Sequence, residues 1–197
     1  MKTLGLLSLL PAIFLGISPS SAAGLRYVVK SSPVTAVGEP TVMSFDAEGL
    51  LKCKKLEVEF AAPVGEPLDL TGVPKYKECE ILGSAATVVV KKGEYEFGTP
   101  EVVLGKIVAP LSIIGTGAQI KITVEIAGEQ CEITMESQAV PGDAITYTEN
   151  LAKTGGQFVV DAKGVKYKSN NKCAGVASKE GEGGTTEARL TETGITV

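Results

Sequence analysis

Histidine and tryptophan are both absent from this chain of 197 residues, and aromatic residues make up only 5% of it. Without histidine the protein can have no Ser-His or Cys-His nucleophile pair, no imidazole metal ligand and no imidazole pH switch. Positive charge is also scarce, because 19 lysines and arginines against 23 aspartates and glutamates give a formal charge of −4. This balance disfavours nucleic acid as a partner.

The first 23 residues have the order of a secretory signal peptide. Met1–Lys2 supplies a positive start, Thr3–Ile17 is an apolar run of 15 residues, and Ser18–Ala23 provides a turn and small side chains. A helix needs about 20 apolar residues to cross a bilayer, so this run is too short for a permanent anchor. We predict cleavage after Ala23, which leaves an exported chain, 24–197, with no membrane span and a charge of 18 − 23 = −5.

The predicted export affects how the four cysteines are interpreted, namely Cys53, Cys79, Cys131 and Cys173. In an oxidising compartment an even number of cysteines usually forms structural disulfides. Three connectivities are open, and we prefer Cys53–Cys79 with Cys131–Cys173 because each pair closes the nearer loop. A four-thiolate zinc site is the alternative, but zinc ligands usually come in close pairs, whereas the gaps here are 26, 52 and 42 residues. We predict no metal and no other cofactor.

Apolar and polar residues alternate along most of 24–197 with the period of two that is typical of β-strands. The clearest pattern predicts a hairpin over 119–127 and 130–137, in which Ile120, Ile122 and Val124 share one face. Further strands are predicted at 26–30, 41–46, 52–60, 76–82, 86–91, 94–98, 106–114, 144–149, 157–161, 164–168, 172–177 and 186–196. Glycine and proline separate these runs at the spacing of a sandwich or a barrel. We therefore predict an all-β, antiparallel, sandwich-like and disulfide-stapled fold with essentially no helix.

A few segments depart from simple alternation. Val88–Val90 and Ile107–Ile114 are continuously apolar, which predicts strands buried on both faces, and Pro110 predicts a bend or an edge in the second. Ser178–Thr186 is rich in glycine and glutamate and is interpreted as a flexible hairpin tip. A seam near Gly98–Pro100 would divide one domain into two packed halves, each with two of the cysteines.

The second half of the chain resembles a group of secreted, uncharacterised, β-rich proteins of soil actinobacteria. The segments that carry the resemblance are Cys131–Thr134 with Gln138, Ile145–Thr148 with Asn150, Gly164–Tyr167, Cys173, and Thr186–Leu190 after the glycine-rich stretch. Cys53–Lys55 and Tyr76–Cys79 are similar to features near the front of such chains, whereas Met135–Ser137 departs from a pattern in which proline is commoner. The resemblance implies an exported β-rich fold, and it brings no activity, ligand or catalytic residue.

Carboxylates leave one enzyme class open, a glycoside hydrolase with an acid and a base roughly 5–10 Å apart. The available acids are Asp46, Glu57, Glu59, Asp69, Glu125 and Asp143. Acids at alternating strand positions usually form a solvated face, so we expect no catalytic site. Tyr147 and Tyr167 would suit a ligand platform, but tyrosines on strands more often pack their rings on the sheet, and we favour the latter.

The sequence thus predicts a non-catalytic structural or adhesive protein, secreted into the extracellular space or associated with the cell envelope. One alternative is a β-sandwich module that binds a glycan or another envelope component through loops at one end. A two-carboxylate glycoside hydrolase is the second alternative. Partners would be an envelope polysaccharide or another protein, and not nucleic acid.

Overall fold

The computed structural model describes residues 24–38, 40–45 and 49–197. The predicted signal peptide 1–23, its cleavage site at Ala23 and the candidate acid Asp46 lie outside these residues. All helix or strand structure in the described ranges is β-strand, and the strands pair antiparallel, as predicted. The strands are β1 Val28–Val29, β2 Val34–Gly38, β3 Thr41–Ser44, β4 Leu50–Phe60, β5 Leu70–Ile81, β6 Ser84–Lys91, β7 Glu94–Phe97, β8 Glu101–Val103, β9 Lys106–Ala109, β10 Leu111–Ile114, β11 Gln119–Ile126, β12 Glu129–Glu136, β13 Gln138–Ala139, β14 Ile145–Glu149, β15 Gly155–Ser169, β16 Glu180–Thr193 and β17 Ile195–Thr196.

The predicted hairpin corresponds to β11 and β12. Ile120, Ile122 and Val124 are buried on its inner face, so alternation in the sequence translates directly into burial. The turn consists of Ala127 and Gly128, with φ of 51° and 79°, which is the left-handed geometry of a two-residue hairpin loop.

Eight strands form a closed circuit of hydrogen-bonded neighbours. In the order β3, β4, β5, β6, β11, β12, β15 and β16, each strand pairs with the next. The circuit closes where Gly184 and Thr185 of β16 lie opposite Ser44 and Met43 of β3. Closure removes exposed strand edges from this part of the protein.

The long strands β4, β5, β15 and β16 have different neighbours at their other ends. Here β2 lies between β4 and β16, β7 and β10 extend from β5, and β14 and β9 extend from β15. Pro110 joins β9 to β10 and lets one stretch of chain pair with β14 before the bend and with β7 after it. The bend that Pro110 predicted is confirmed.

One apolar core fills the space between facing parts of this sheet. Its largest group of aromatic rings includes Phe60, Phe97, Phe158 and Tyr147, with centroid separations between 4.8 and 5.9 Å. These edge-on and tilted contacts are the geometry that aromatic pairs prefer. Segment 98–100, the predicted seam, connects β7 to β8, and strands before and after it are interleaved, as in β6 beside β11.

Two predictions between β15 and β16 are wrong. Residues 172–177, predicted as a strand, form turns, and Ser178–Thr186, interpreted as a flexible tip, lies largely within β16. Glycine is required here because neighbouring backbone lies too close for a side chain. A Cβ on Gly183 would lie 2.4 Å from the Ser44 oxygen, and a Cβ on Gly184 would lie 2.2 Å from the Ala162 oxygen.

The expectation that Val88–Val90 is buried on both faces is also wrong. Residues along β6 alternate between half-buried and exposed, and Val89 is 40% exposed. The outer face of β6 therefore meets solvent, as an antiparallel strand allows.

Candidate functional site

The two disulfides have the pairing that loop length favoured. Cys53 of β4 lies directly opposite Cys79 of β5, with an S–S distance of 2.08 Å. Cys131 of β12 bonds Cys173, which lies in the turns after β15, with an S–S distance of 2.15 Å. All four cysteines are buried, so each bridge supports the fold from within and none is presented as a surface redox site.

The turns after β15 are fastened to β12 by more than the disulfide. The backbone N–H of Asn170 donates to the Glu132 carbonyl at 3.0 Å, and its side-chain amide donates to the Gln130 carbonyl at 2.9 Å. Lys172 forms an ion pair with Glu129. Cys173 thus anchors a segment that is held by one backbone hydrogen bond and by side chains rather than by a paired strand.

The candidate acids do not form a hydrolase pair within the described residues. Glu57 and Glu59 lie on the outward face of β4, where Glu57 is ion-paired with Lys55 and Lys77 and Glu59 with Lys75, at 2.6–2.7 Å. Hydrogen bonds from the two lysines lower the pKa of Glu57 to about 2, so its carboxylate is a poor proton donor at neutral pH.

The other three candidate acids that the structure describes lie in different parts of the fold. Asp69 precedes β5, Glu125 lies at the end of β11, and Asp143 lies in the loop before β14; all three are exposed. Within the described ranges, no three metal-ligating side chains come together either. The candidate acids that the structure describes, which exclude Asp46, therefore lie on the outer surface.

Tyr147 and Tyr167 are core residues rather than a platform. Only 4% and 3% of their surfaces are exposed, and Tyr167 packs edge-on against Phe45. The Tyr147 hydroxyl donates to the Ile195 carbonyl at 2.7 Å. Burial raises the pKa of the Tyr147 hydroxyl above its ordinary range.

Tyr76 and Tyr95 form the polar part of an interior cavity. Their half-buried side chains point inward from β5 and β7, and their hydroxyls hydrogen-bond each other. Burial raises the pKa of Tyr95 to about 12. The cavity beside them measures about 40 Å³, with Leu111 and Met135 among its apolar walls. This is room for water, whereas ligand pockets measure about 300–1,000 Å³.

A shallow groove of about 210 Å³ lies between β12 and β15. Its walls include Glu136, Gln138, Lys166 and Lys168. Gln138 is fixed there, because its side chain donates to the Lys166 carbonyl and accepts from the Lys166 N–H, both at 2.8 Å. Lysine and carboxylate groups on opposite walls could contact a polar ligand from solvent.

Glu192 is a buried acid that the sequence interpretation missed. It is 3% exposed, and its two carboxylate oxygens accept hydrogen bonds from the N–H groups of Gly156 at 2.7 Å and Ile195 at 2.9 Å. Burial raises its pKa to about 7 against the lowering effect of these donors. Alternation carried a signal, because Ala188, Leu190 and Glu192 occupy successive inward positions of β16.

The Glu192 carboxylate joins strands rather than forming a reaction centre. Its donors lie on β15 and β17, at the point where β16 ends and the chain turns through Gly194. The acid therefore satisfies backbone donors that would otherwise be buried without a partner.

No helix in the described part of the chain has the length and apolar character needed to cross a membrane. Comparisons with protein families, with curated proteins and with solved structures find no match.

Proposed function

We propose that the protein is exported and has a non-catalytic structural or adhesive role in the extracellular space or the cell envelope. The observation that carries the proposal is the closed sheet with two buried disulfides, Cys53–Cys79 and Cys131–Cys173. Disulfides persist in oxidising compartments, which agrees with the predicted signal peptide.

The outer surface of β4 and β5 supports the same role. Lysines and glutamates pair across the two strands, as in Lys54 with Glu78 and Lys75 with Glu59. Exposed pairs of this kind contribute little to stability, but charged outer faces disfavour uncontrolled sheet-to-sheet association. A rigid, crosslinked and charge-covered body suits a protein that must persist outside the cell.

A glycan-binding module is the alternative that one observation favours, namely the groove lined by Glu136, Gln138, Lys166 and Lys168. Glycan sites are mostly polar and are often completed by an aromatic ring, and Tyr167 borders this groove. The ring is almost fully covered, however, so it offers little face for a sugar.

Co-sedimentation of the chain 24–197 with cell envelope from its own source separates these roles. The structural or adhesive role predicts saturable retention that soluble saccharide fragments do not compete. Competition by one fragment, abolished in Gln138→Ala, would replace it with the glycan-binding role. Release of reducing sugar from the envelope would contradict the proposal, whereas no retention would assign the role to the extracellular space rather than to the envelope.

A further inference from the structure

The interior cavity beside Tyr76 and Tyr95 is walled mainly by apolar side chains. These include Met43, Leu56, Leu111, Ile113, Met135 and Leu190. Its volume of about 40 Å³ is room for about three or four waters, because one water needs about 10–15 Å³ of such space. A methylene group is close to a water molecule in size, so an alkyl chain of about three or four carbons would also fit. The flexible side chains of Met43 and Met135 let the wall adapt to such a chain.

Water is poorly suited to this cavity. A buried water typically makes two to four hydrogen bonds to polar groups, and apolar cavities stay dry. The Tyr76 and Tyr95 hydroxyls hydrogen-bond each other, and the Ser44 hydroxyl donates to the Gly184 carbonyl at 3.4 Å. These polar groups of the wall are therefore already engaged, which favours an apolar occupant.

A surface groove of about 340 Å³ lies directly outside the cavity, where the end of β3 meets the β15–β16 pair. This volume is within the range of about 300–1,000 Å³ that is typical of ligand pockets. Five residues line both the groove and the cavity, namely Ser44, Phe45, Ala162, Gly183 and Gly184. A single layer of residues thus separates the interior space from solvent at this point.

The wall between the groove and the cavity is thin because it contains two glycines. Gly183 and Gly184 have no side chains, and backbone oxygens of β3 and β15 lie too close to allow any. Phe45 is the largest side chain of this wall, and its ring packs edge-on against Tyr167 with the centroids 5.3 Å apart. Rotation of the Phe45 ring is therefore the movement that would open the cavity to the groove.

The groove has no excess of either charge. Lys163 and Glu182 are the charged residues among the described residues that line it, and both are exposed. Lys163 is also ion-paired with Asp161 at 3.4 Å. Three glycines line the groove as well, and glycine lets the backbone approach a ligand closely. Balanced charge and accessible backbone favour an uncharged polar group over an anion or a cation.

We propose that the cavity and the groove form one binding site for a small uncharged amphiphile. Its alkyl chain, about three or four carbons long, lies in the cavity, and its polar head lies in the groove. Burial of the chain supplies the affinity, at about fourfold per methylene group. This site goes beyond the function proposed above, because it does not depend on a structural or adhesive role.

Methyl NMR of the chain 24–197, which contains every strand that the structure describes, tests the proposal with straight-chain alcohols from ethanol to 1-octanol. Met43 and Met135 are the two methionines of 24–197, and both line the cavity, so their labelled methyl groups report on its interior. We expect saturable shifts of both signals and an affinity that rises about fourfold per carbon up to 1-butanol. From 1-pentanol onward the affinity should stop rising, because the cavity is full.

Two substitutions change the size of the cavity in opposite directions. Leu111→Ala removes three carbons from the wall, so the longest alcohol that still gains affinity should be about three carbons longer. Ala188→Val adds two carbons to the wall, so it should weaken 1-butanol binding about fifteenfold. Ala36→Val is the matched control, because Ala36 is also buried but does not line the cavity. It should leave binding unchanged, and the methionine signals show whether each variant is folded.

Three results would overturn the proposal. The first is no shift of either methionine signal with any alcohol, which would leave the cavity to water. The second is an affinity that rises with chain length without a limit and equally in Ala188→Val, which would indicate adsorption to the surface. The third is the same chain-length limit in Leu111→Ala as in the wild type, which would place the bound chain outside the cavity.

Discussion

The Glu192 carboxylate accepts a 2.7 Å hydrogen bond from the backbone N–H of Gly156, in a site where only 3% of Glu192 is exposed. A second hydrogen bond from Ile195 ties the same carboxylate to β17. This buried acid links the ends of β15, β16 and β17, and its titration should be visible in the stability of the whole fold.

We predict that stability falls as the pH rises from about 5 to about 8. The folded-state pKa of Glu192, about 7, is above its ordinary value of 4.5, so the folded protein holds a proton that the unfolded chain releases. The resulting stabilisation is complete below the unfolded pKa and is lost as the pH passes through about 7. Urea unfolding at a series of pH values measures it.

Glu192→Gln should flatten this pH dependence, because the group that titrates is gone. Glu125→Gln, at an exposed position on β11, is the control that should retain the wild-type slope. Histidine is absent and the pKa of Glu57 is lowered to about 2, so neither competes in this range. An equal slope in wild type and Glu192→Gln would refute the assignment.

Removing the two disulfides should have different local effects. Each double replacement by alanine should cost about 3–4 kcal/mol of unfolding free energy from loop entropy. Only loss of Cys131–Cys173 should also loosen the turns at 170–177, because Cys53 and Cys79 lie on strands that remain paired by backbone hydrogen bonds. Limited trypsin digestion at Lys172 reports the difference.

Trypsin should cleave the Cys131→Ala/Cys173→Ala variant after Lys172 well before it cleaves the Cys53→Ala/Cys79→Ala variant there. Each variant should be digested at its own denaturant concentration, chosen so that both have the same free energy of unfolding. This choice removes the effect of global unfolding. Equal cleavage rates under those conditions would mean that Asn170 and its hydrogen bonds hold the turns without the disulfide.

Gly184→Ala should destabilise the protein by about 1–3 kcal/mol or more, because overpacking forces the backbone to shift. The added methyl would lie 2.2 Å from the Ala162 oxygen of β15, so the strain would fall on the packing of β16 against β15. Gly93→Ala is the control, since its nearest neighbours would be 3.4 Å or farther away. Similar midpoints of urea unfolding for both variants would show that the packing of Gly184 against β15 is not tight.

Local alternation predicted much of the fold, since in β11 the apolar residues Ile120, Ile122 and Val124 are buried and Ile126, at the end of the strand, is partly buried. Local sequence patterns gave a wrong prediction where one residue type serves two different structural purposes. Glycines serve flexible tips and close backbone approaches alike, and Gly183 and Gly184 belong to the second class. For Gly183 the answer depends on Ser44 of β3, about 140 positions earlier in the chain, and for Gly184 it depends on Ala162 of β15.

Residues 172–177 illustrate a second limit of local patterns. Val176 and Ala177 are buried, as strand residues would be. They belong, however, to the turn segment that Cys173 holds against β12. Glu192 illustrates the opposite case, because its inward position was readable from Ala188 and Leu190. A charged glutamate is expected to face solvent. Glu192 is buried instead, and two backbone N–H groups donate hydrogen bonds to its carboxylate.

The measurement that tests the central claim most directly is the intact mass of the protein recovered from its own cells, alkylated while unfolded and without reductant. Export into an oxidising compartment predicts the mass of 24–197 less four hydrogens, with no alkylated cysteine, in the extracellular or envelope fraction. A chain that begins at Met1, stays in the cytoplasm and carries two or more alkylated cysteines would contradict the account.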